Sequence, residues 1–557
     1  MRTKSLFHFL SLVLTLTLLL SLSSPAFAMG KPASVDVQIL ALNDFHGALD
    51  PYKGNGGAAY LATYVKNLSA GNPNTVKVSA GDMIGASPIQ SALFHDEPTI
   101  QVFNLMGFDF SAVGNHEFDE GWTELLRMQN GGCHPVDGCY AGVPEFTGAA
   151  FKYLTANVIR LDNGQTLFPA YMIKEYGRVK VAFIGVSLEA TPAIVVPSGV
   201  AGLEFQPEVA AINHYVKYLK DTQGIKAFVV LLHDGPSPVS GADKNACNPA
   251  DPFFTNVVMK VDPEVDALIT GHSHSAYNCS IMVKKNYGPM LVTSAGNNGN
   301  YLTDIDLTIN GTNGQVAAST ATNVSIVDAG VTPDPDVAAL LAQYAVISAP
   351  IANRVIGSIT ADIVKGGNMA ESALGDVIGD AQLAATIDPA NGGAVIAMTN
   401  PGGIRANLVY AQSVGEGDGN VTYGEAFAVQ PFSNSLVTMS LTGAQLKAAL
   451  EQQATAGSDG KGRMLQISDG MTYTWTTSAP VGSKVSNLKI NDVDVDLAAT
   501  YRVTINNFLA GGGDGFTAFT GGANLLTGMI DLDAFIAYLE NNSPVAPGPM
   551  NRITIAP

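Results

Sequence analysis

Apolar runs recur through the first half of the chain, at Val35–Leu42, Thr75–Ser79, Phe110–Val113, Val179–Val186, Ala227–Leu232 and Val265–Thr270. Most are dense in Val, Ile, Ala and Leu, as strands buried on both faces should be. Helical stretches lie between several of them, such as Ala58–Leu68, Pro207–Asp221 and Asp251–Lys260, with Pro207 suited to a first turn that needs no backbone donor. The alternation predicts an α/β domain. Turn formers then gather from Asp328 to Asp336, and a connecting helix is expected from Asp336 to about Ser348, stopped by Pro350. Further on, helices (Ser372–Thr386, Thr442–Gln453) mix with strands (Leu436–Leu441, Tyr501–Ile505). The expected division is a leader at 1–28, a first domain at 29–327, a linker and connecting helix at 328–355, and an α+β domain at 356–557.

A chain of 557 residues is too long for one ordinary core, which agrees with two domains. Its start is not part of the fold. Arg2 and Lys4 precede a Leu-rich run from Leu6 to about Leu22, and Ala26-Phe27-Ala28 supplies small residues where a signal peptidase reads. This is a secretory signal peptide cut after Ala28, so the mature protein is expected to be secreted, periplasmic or on the cell surface. No other segment reads as long and apolar enough to span a bilayer, so no stable membrane insertion is expected after cleavage. The formal charge is −19, and loss of the two leader cations makes it −21. Such a chain is a poor partner for nucleic acid polymers, although it can bind small anions where metal ions supply the field. An even count of four cysteines in an exported protein suggests disulfides. Cys133 with Cys139 would close a short loop, and Cys247 with Cys279 would tie two later ones.

Candidate chemistry lies just after the strands. Asn43-Asp44-Phe45-His46 follows the first, Gly81-Asp82 the second, and Gly114-Asn115-His116-Glu117-Phe118-Asp119 the third; His233-Asp234-Gly235 and Gly271-His272-Ser273-His274 follow two later ones. Ligands bind at that edge of open α/β sheets. Asp, Asn and His form a mixed oxygen and nitrogen set suited to borderline divalent metals. Asp44-x-His46 and His272-x-His274 would each present two donors on one face of an extended segment. Glycines 47, 81, 114 and 271 permit sharp turns. Of eight histidines after the leader, five fall in these motifs. His95, His134 and His214 read as ordinary hydrogen-bonded histidines.

The set DFH, GD, GNHEFD, HDG and GHSH resembles the calcineurin-like metallophosphoesterases. Asn400-Pro401-Gly402-Gly403-Ile404-Arg405, Pro431-Phe432-Ser433-Asn434 and the segment from Asn507 to Phe516 resemble the C-terminal substrate domain of secreted 5′-nucleotidases. The resemblance covers nearly all of the mature chain. It implies a four-layer α/β/β/α metallophosphoesterase domain followed by an α+β 5′-nucleotidase C-terminal domain. It also implies two divalent metal ions, zinc, manganese or similar, one held by Asp44, His46 and His274 and the other by Asn115, His233 and His272, with Asp82 bridging. His116 would contact the phosphoryl group, oriented by Asp119.

The second half would select a small nucleotide. Phe432 and Phe508 offer faces to a nucleobase, Asp514 acceptors to ribose hydroxyls, Asn434 a base contact, and Arg405 a planar fork, with Asn400 nearby. Relatives often carry an arginine where this chain has Asn368; Lys365 is near, but as a point charge without bidentate geometry. The expected activity is hydrolysis of nucleoside 5′-monophosphates. The alternatives are UDP-sugars, dinucleotides or 2′,3′-cyclic nucleotides at the same site, or a surface binding protein that keeps the fold without the chemistry.

Overall fold

The computed structural model describes residues 34–557, except 52–53, 237–242, 285–287, 414 and 458–459. The leader therefore lies outside the described residues.

Two six-stranded sheets form the first half. In chain order their strands are β1 (Val35–Leu42), β2 (Thr75–Ser79), β3 (Phe110–Ala112), β4 (Lys152–Leu154), β5 (Tyr171–Tyr176), β6 (Val179–Val186), β7 (Ala227–Leu232), β8 (Ala267–Thr270), β9 (Ala276–Ile281), β10 (Met290–Ala295), β11 (Tyr301–Ile309) and β12 (Val316–Ser325). One sheet runs β12-β11-β1-β2-β3-β4 and the other β9-β10-β8-β7-β6-β5. The strands β1 to β4 are mutually parallel, as are β6, β7, β8 and β10.

Side-chain alternation explains why these strands are apolar on both faces. Val37, Ile39 and Ala41 of β1 meet Val181, Phe183, Val229 and Leu231 of the other sheet in one core between the sheets. Leu40 and Leu42 point the other way, under helices Ala58–Ser69 and Glu97–Met106. Ala182, Ile184, Phe228 and Val230 pack outward against helix Glu208–Gln223. The result is the expected α/β/β/α stack.

The connecting helix spans Pro335–Ala352, capped by Asp334, whose side chain accepts from the backbone of Asp336 and Val337. It runs through Pro350 instead of stopping there. The ring removes one late hydrogen bond, to the carbonyl of Val346, and Val346 is 76% exposed, so water can serve that carbonyl. By length and composition this helix is apolar enough to cross a membrane, contrary to expectation. Its Val337, Leu340 and Tyr344 are instead buried in the first-half core. The helix expected over Asp251–Lys260 is broken into Pro252–Asn256 and a 3-10 turn at Val258–Lys260, with Val257 between them at φ −114° and ψ −69°.

In the second half, a five-stranded sheet has Ile396–Thr399, Thr500–Asn506 and Ser435–Thr442 at its centre. Helix Gly443–Gln452 packs into its core, and the capping box of Thr442 and Gln445 fixes the helix start. Both disulfides, Cys133–Cys139 and Cys247–Cys279, are formed.

Candidate active site

All five motifs lie beyond the C-terminal ends of parallel strands: β1, β2 and β3 side by side in one sheet, β7 and β8 side by side in the other. The facing sheets bring these ends together. The loop after β1 ladders onto the loop after β2, with Asp44 N donating to Gly81 O and His46 N to Asp82 O, both at 3.0 Å.

The local conformation is not the extended one expected. Asp44, His46, Asp82, His272 and His274 all have left-handed backbones, with φ between 49° and 65°. Each such non-glycine residue costs roughly 1–2 kcal/mol. Five in one cluster mark a place where tertiary contacts override local preference. Gly81 has φ 91°, but Gly114 does not need a positive φ. It is required for closeness: a Cβ there would collide with the Asp82 carboxylate and the His233 ring.

The donor atoms converge. His46 Nε2 is 3.0 Å from His274 Nε2, 3.9 Å from Asp44 Oδ1 and 3.8 Å from Asp82 Oδ2. His233 Nε2 is 3.1 Å from Asp82 Oδ2 and 3.2 Å from Asn115 Oδ1, and His272 Nδ1 is 2.9 Å from the same amide oxygen. The outward nitrogens are tied down: His46 Nδ1 lies 3.0 Å from the Gly85 carbonyl and His233 Nδ1 2.8 Å from that of Ala80. A carbonyl only accepts, so each Nδ1 carries a proton, and whenever the ring is neutral its Nε2 turns a lone pair inward. Inward there are carboxylate and amide oxygens, which also accept. Converging acceptors are satisfied by a cation, and this donor set could hold divalent metal in three overlapping groups, Asp44/His46/His274, His46/Asp82/His116 and Asp82/His233/His272.

The electrostatics agree. Burial first, then neighbouring charge, pushes His272 down to about 3 and His274 to about 4, leaving both neutral. Burial opposes charge on Asp82, but the imidazoles of His233, His116 and His46 outweigh it and hold that carboxyl well below its usual range. Burial also opposes charge on His233, yet Asp82 and Asp44 raise it to about 10. The pocket thus favours positive charge at that position.

His116 Nδ1 is 2.8 Å from Asp119 Oδ2, which also accepts from Ala86 N at 3.1 Å. Burial works against its charge, and Asp119 and Asp82 outweigh it, so the His116 pKa is raised. Two supporting residues went unread in the sequence. Glu117 is buried and accepts the backbone N–H groups of Asp82, Met83 and Gly114 at 2.6–2.9 Å. Asn43 donates to Asp44 Oδ2 at 2.6 Å. Both sit inside the motifs, but nothing local distinguishes a strap from a ligand.

A cavity of about 830 Å³ joins this cluster to the second half. Asn400, Arg405, Phe432, Asn434, Phe508 and Asp514 all line it, as does Asn368. Asn400 Nδ2 donates to Asp514 Oδ2 at 3.1 Å. The buried Asn434 Oδ1 has no partner among the described residues. The ring partners of Phe432 there are His116, stacked at 5.7 Å, and Arg405, whose guanidinium carbon lies 5.6 Å from the ring centre. Phe508 lines the cavity while also packing in the second-half core. Lys365 Nζ donates to the Arg405 carbonyl at 3.1 Å, so it braces that loop. Lys461, Arg463 and an apolar wall at 194–196 also line the cavity and were not foreseen. The Lys461-Gly462-Arg463 cluster was the available signal in so acidic a chain.

Residues 37–276 match the calcineurin-like phosphoesterase family, and residues 355–521 match the 5′-nucleotidase C-terminal domain. The cell wall protein Lmo0130 of Listeria monocytogenes is 33% identical over 92% of this chain and 68% of its own length. Endonuclease YhcR of Bacillus subtilis is 32% identical over 94% of this chain, which spans only 41% of that protein. The 5′-nucleotidase precursor of Thermus thermophilus superposes with a TM-score of 0.76 at 26% identity, covering 94% of this chain and 99% of that one. With both halves matched and the layers and strand-end cluster in place, this chain belongs to the calcineurin-like phosphoesterases that carry a 5′-nucleotidase C-terminal domain.

Proposed function

We propose that the protein is an exported phosphohydrolase that cleaves nucleoside 5′-monophosphates to nucleoside and phosphate. The observation that carries this reading is the single cavity running from the acceptor cluster to Arg405, Phe432, Asn434, Phe508 and Asp514. Asp44, His46 and His274 would hold one divalent ion and Asn115, His233 and His272 a second, with Asp82 shared. When bound, two such ions acidify a water and stabilise charge on phosphoryl oxygens. His116, aimed by Asp119, stabilises the phosphoryl charge or passes its proton to the leaving oxygen. Arg405 presents a fork to anionic oxygens. Asp514, held by Asn400, accepts from ribose hydroxyls, and the Asn434 Oδ1 accepts from the base. Phe432 and Phe508 supply its apolar contact.

A second reading keeps this machinery but takes UDP-sugars, dinucleotides or 2′,3′-cyclic nucleotides. It is favoured by a cavity near the top of the ~300–1,000 Å³ range for ligand pockets and by Lys365, Lys461 and Arg463 on its wall. Phosphate release from AMP beside these substrates, after metal stripping and add-back, separates the two. No release from any nucleotide with metal restored sinks both. Export is supported by the leader and by a relative named as a cell wall protein. A mature N-terminus at Met29 in the exported fraction is the expected result.

A further inference from the structure

Away from the cavity, a second set of metal-type ligands converges. One ligand atom from each of His95, Glu120, Glu124 and His134 lies within 4.8 Å of every other. His95 Nδ1 is 2.7 Å from Glu120 Oε2, and its Nε2 is 2.8 Å from Asp137 Oδ2. The two imidazoles stack at 3.7 Å and 19°. His134 and Asp137 sit in the loop closed by Cys133–Cys139, where His134 and Gly138 exchange backbone hydrogen bonds at 3.2 and 3.0 Å. That loop is pinned independently of the cluster, so His134 is presented rather than merely nearby.

Access and charge both suit a cation. The imidazoles are mostly covered, with side chains 15% and 14% exposed, while Glu120 is 45% exposed and leaves an entry from solvent. Within this bonded network, Glu97 and Glu124 pair with the Arg127 guanidinium while Glu120 and Asp137 pair with His95, so four carboxylates share two basic side chains. Arg127 occupies part of the Glu124 carboxylate, but four lone-pair positions leave room for one more partner.

We propose that His95, Glu120, Glu124 and His134 form an additional divalent-metal site of zinc type, separate from the catalytic cluster. Two nitrogens and two carboxylate oxygens are a zinc donor set. Ligand atoms around tetrahedral zinc stand about 3.4 Å apart, so Glu120 Oε2, now 2.7 Å from His95 Nδ1, would move out by rotation, and the His134 ring would tilt off its stack to point a nitrogen at the ion. Binding through His95 Nδ1 leaves its Nε2–H on Asp137, the carboxylate–histidine–metal arrangement that fixes ring orientation. Glu120 directly follows Asp119, so the ion would tie the disulfide loop to the segment that aims His116.

The test uses the full chain, stripped with chelator and dialysed against zinc, with bound zinc counted per chain by atomic emission. Wild type should hold one ion more than His134→Ala and one more than Glu120→Gln. Hydrolysis of a phosphate ester should be retained in both variants, which shows that they fold and keep the catalytic cluster. Equal zinc content in wild type and either folded variant overturns the site.

Discussion

The imidazole of His116 and the ring of Phe432 lie stacked, 11° from parallel, although they come from opposite halves of the chain. A residue at the acceptor cluster and one on the cavity wall from the second half therefore share a contact. Phe432→Ala should raise the KM for a nucleotide on the order of tenfold through lost stacking, with a smaller change in kcat. The KM for a small aryl phosphate, which has no base, should not move. Equal losses on both substrates would place Phe432 in the chemistry instead.

Asp119 holds the His116 ring at Nδ1, 2.8 Å away, and in the proposed mechanism it works through that imidazole. His116→Ala should lower kcat by about 10²–10⁴-fold, the usual worth of a positioned acid. Asp119→Asn should lose less. The double variant should be no worse than His116→Ala, since a group that works through another has nothing left to orient. Additive losses in steady-state kinetics would contradict this. If Asp82→Ala and His116→Ala both leave hydrolysis unchanged, the whole assignment is wrong.

Gly114 is a packing requirement. Gly114→Ala should cost about 1–3 kcal/mol through overpacking, and the collision falls on Asp82 and His233. Thermal unfolding and bound-metal content should therefore fall together. A stable variant with full metal content would show that the loops after β2 and β3 can separate.

The pH dependence of the chelated protein should carry the mark of His95. Burial opposes its charge, but the bonds to Glu120 and then Asp137, with Glu124 nearby, raise its pKa to about 9. His134 stacks on it and Tyr140 lies 6.3 Å away. A raised folded pKa means stability that is fully present below about 6.5, the unfolded value, and lost as pH rises through 9. The melting temperature of chelated protein should drop over that window, and His95→Asn should flatten the drop. Identical profiles would refute a charged His95.

Much of this was legible because buried parallel strands carry their own signature. β1, β2, β6 and β7 have the boundaries that their apolar runs suggested, and the polar clusters directly after strands are where a parallel sheet exposes its C-terminal edge. The antiparallel hairpin β11–β12 was not read. Its inward Ile305, Leu307 and Ile309 alternate with polar residues and so make no continuous run.

By itself the sequence determined which residue types stand at each strand end, and hence the metal-type chemistry, because side-chain chemistry and strand periodicity are local. Tertiary structure alone decided how those residues meet. The left-handed turns at Asp44, His46, Asp82, His272 and His274 are locally unfavourable and persist only because loops from two sheets hold one another. The same holds for the stacking of His116 on Phe432, for Arg463 on the cavity wall, and for His95 and His134, which looked ordinary until a disulfide loop brought one onto the other. Contacts between residues far apart in the chain depend on packing, and no local pattern encodes them.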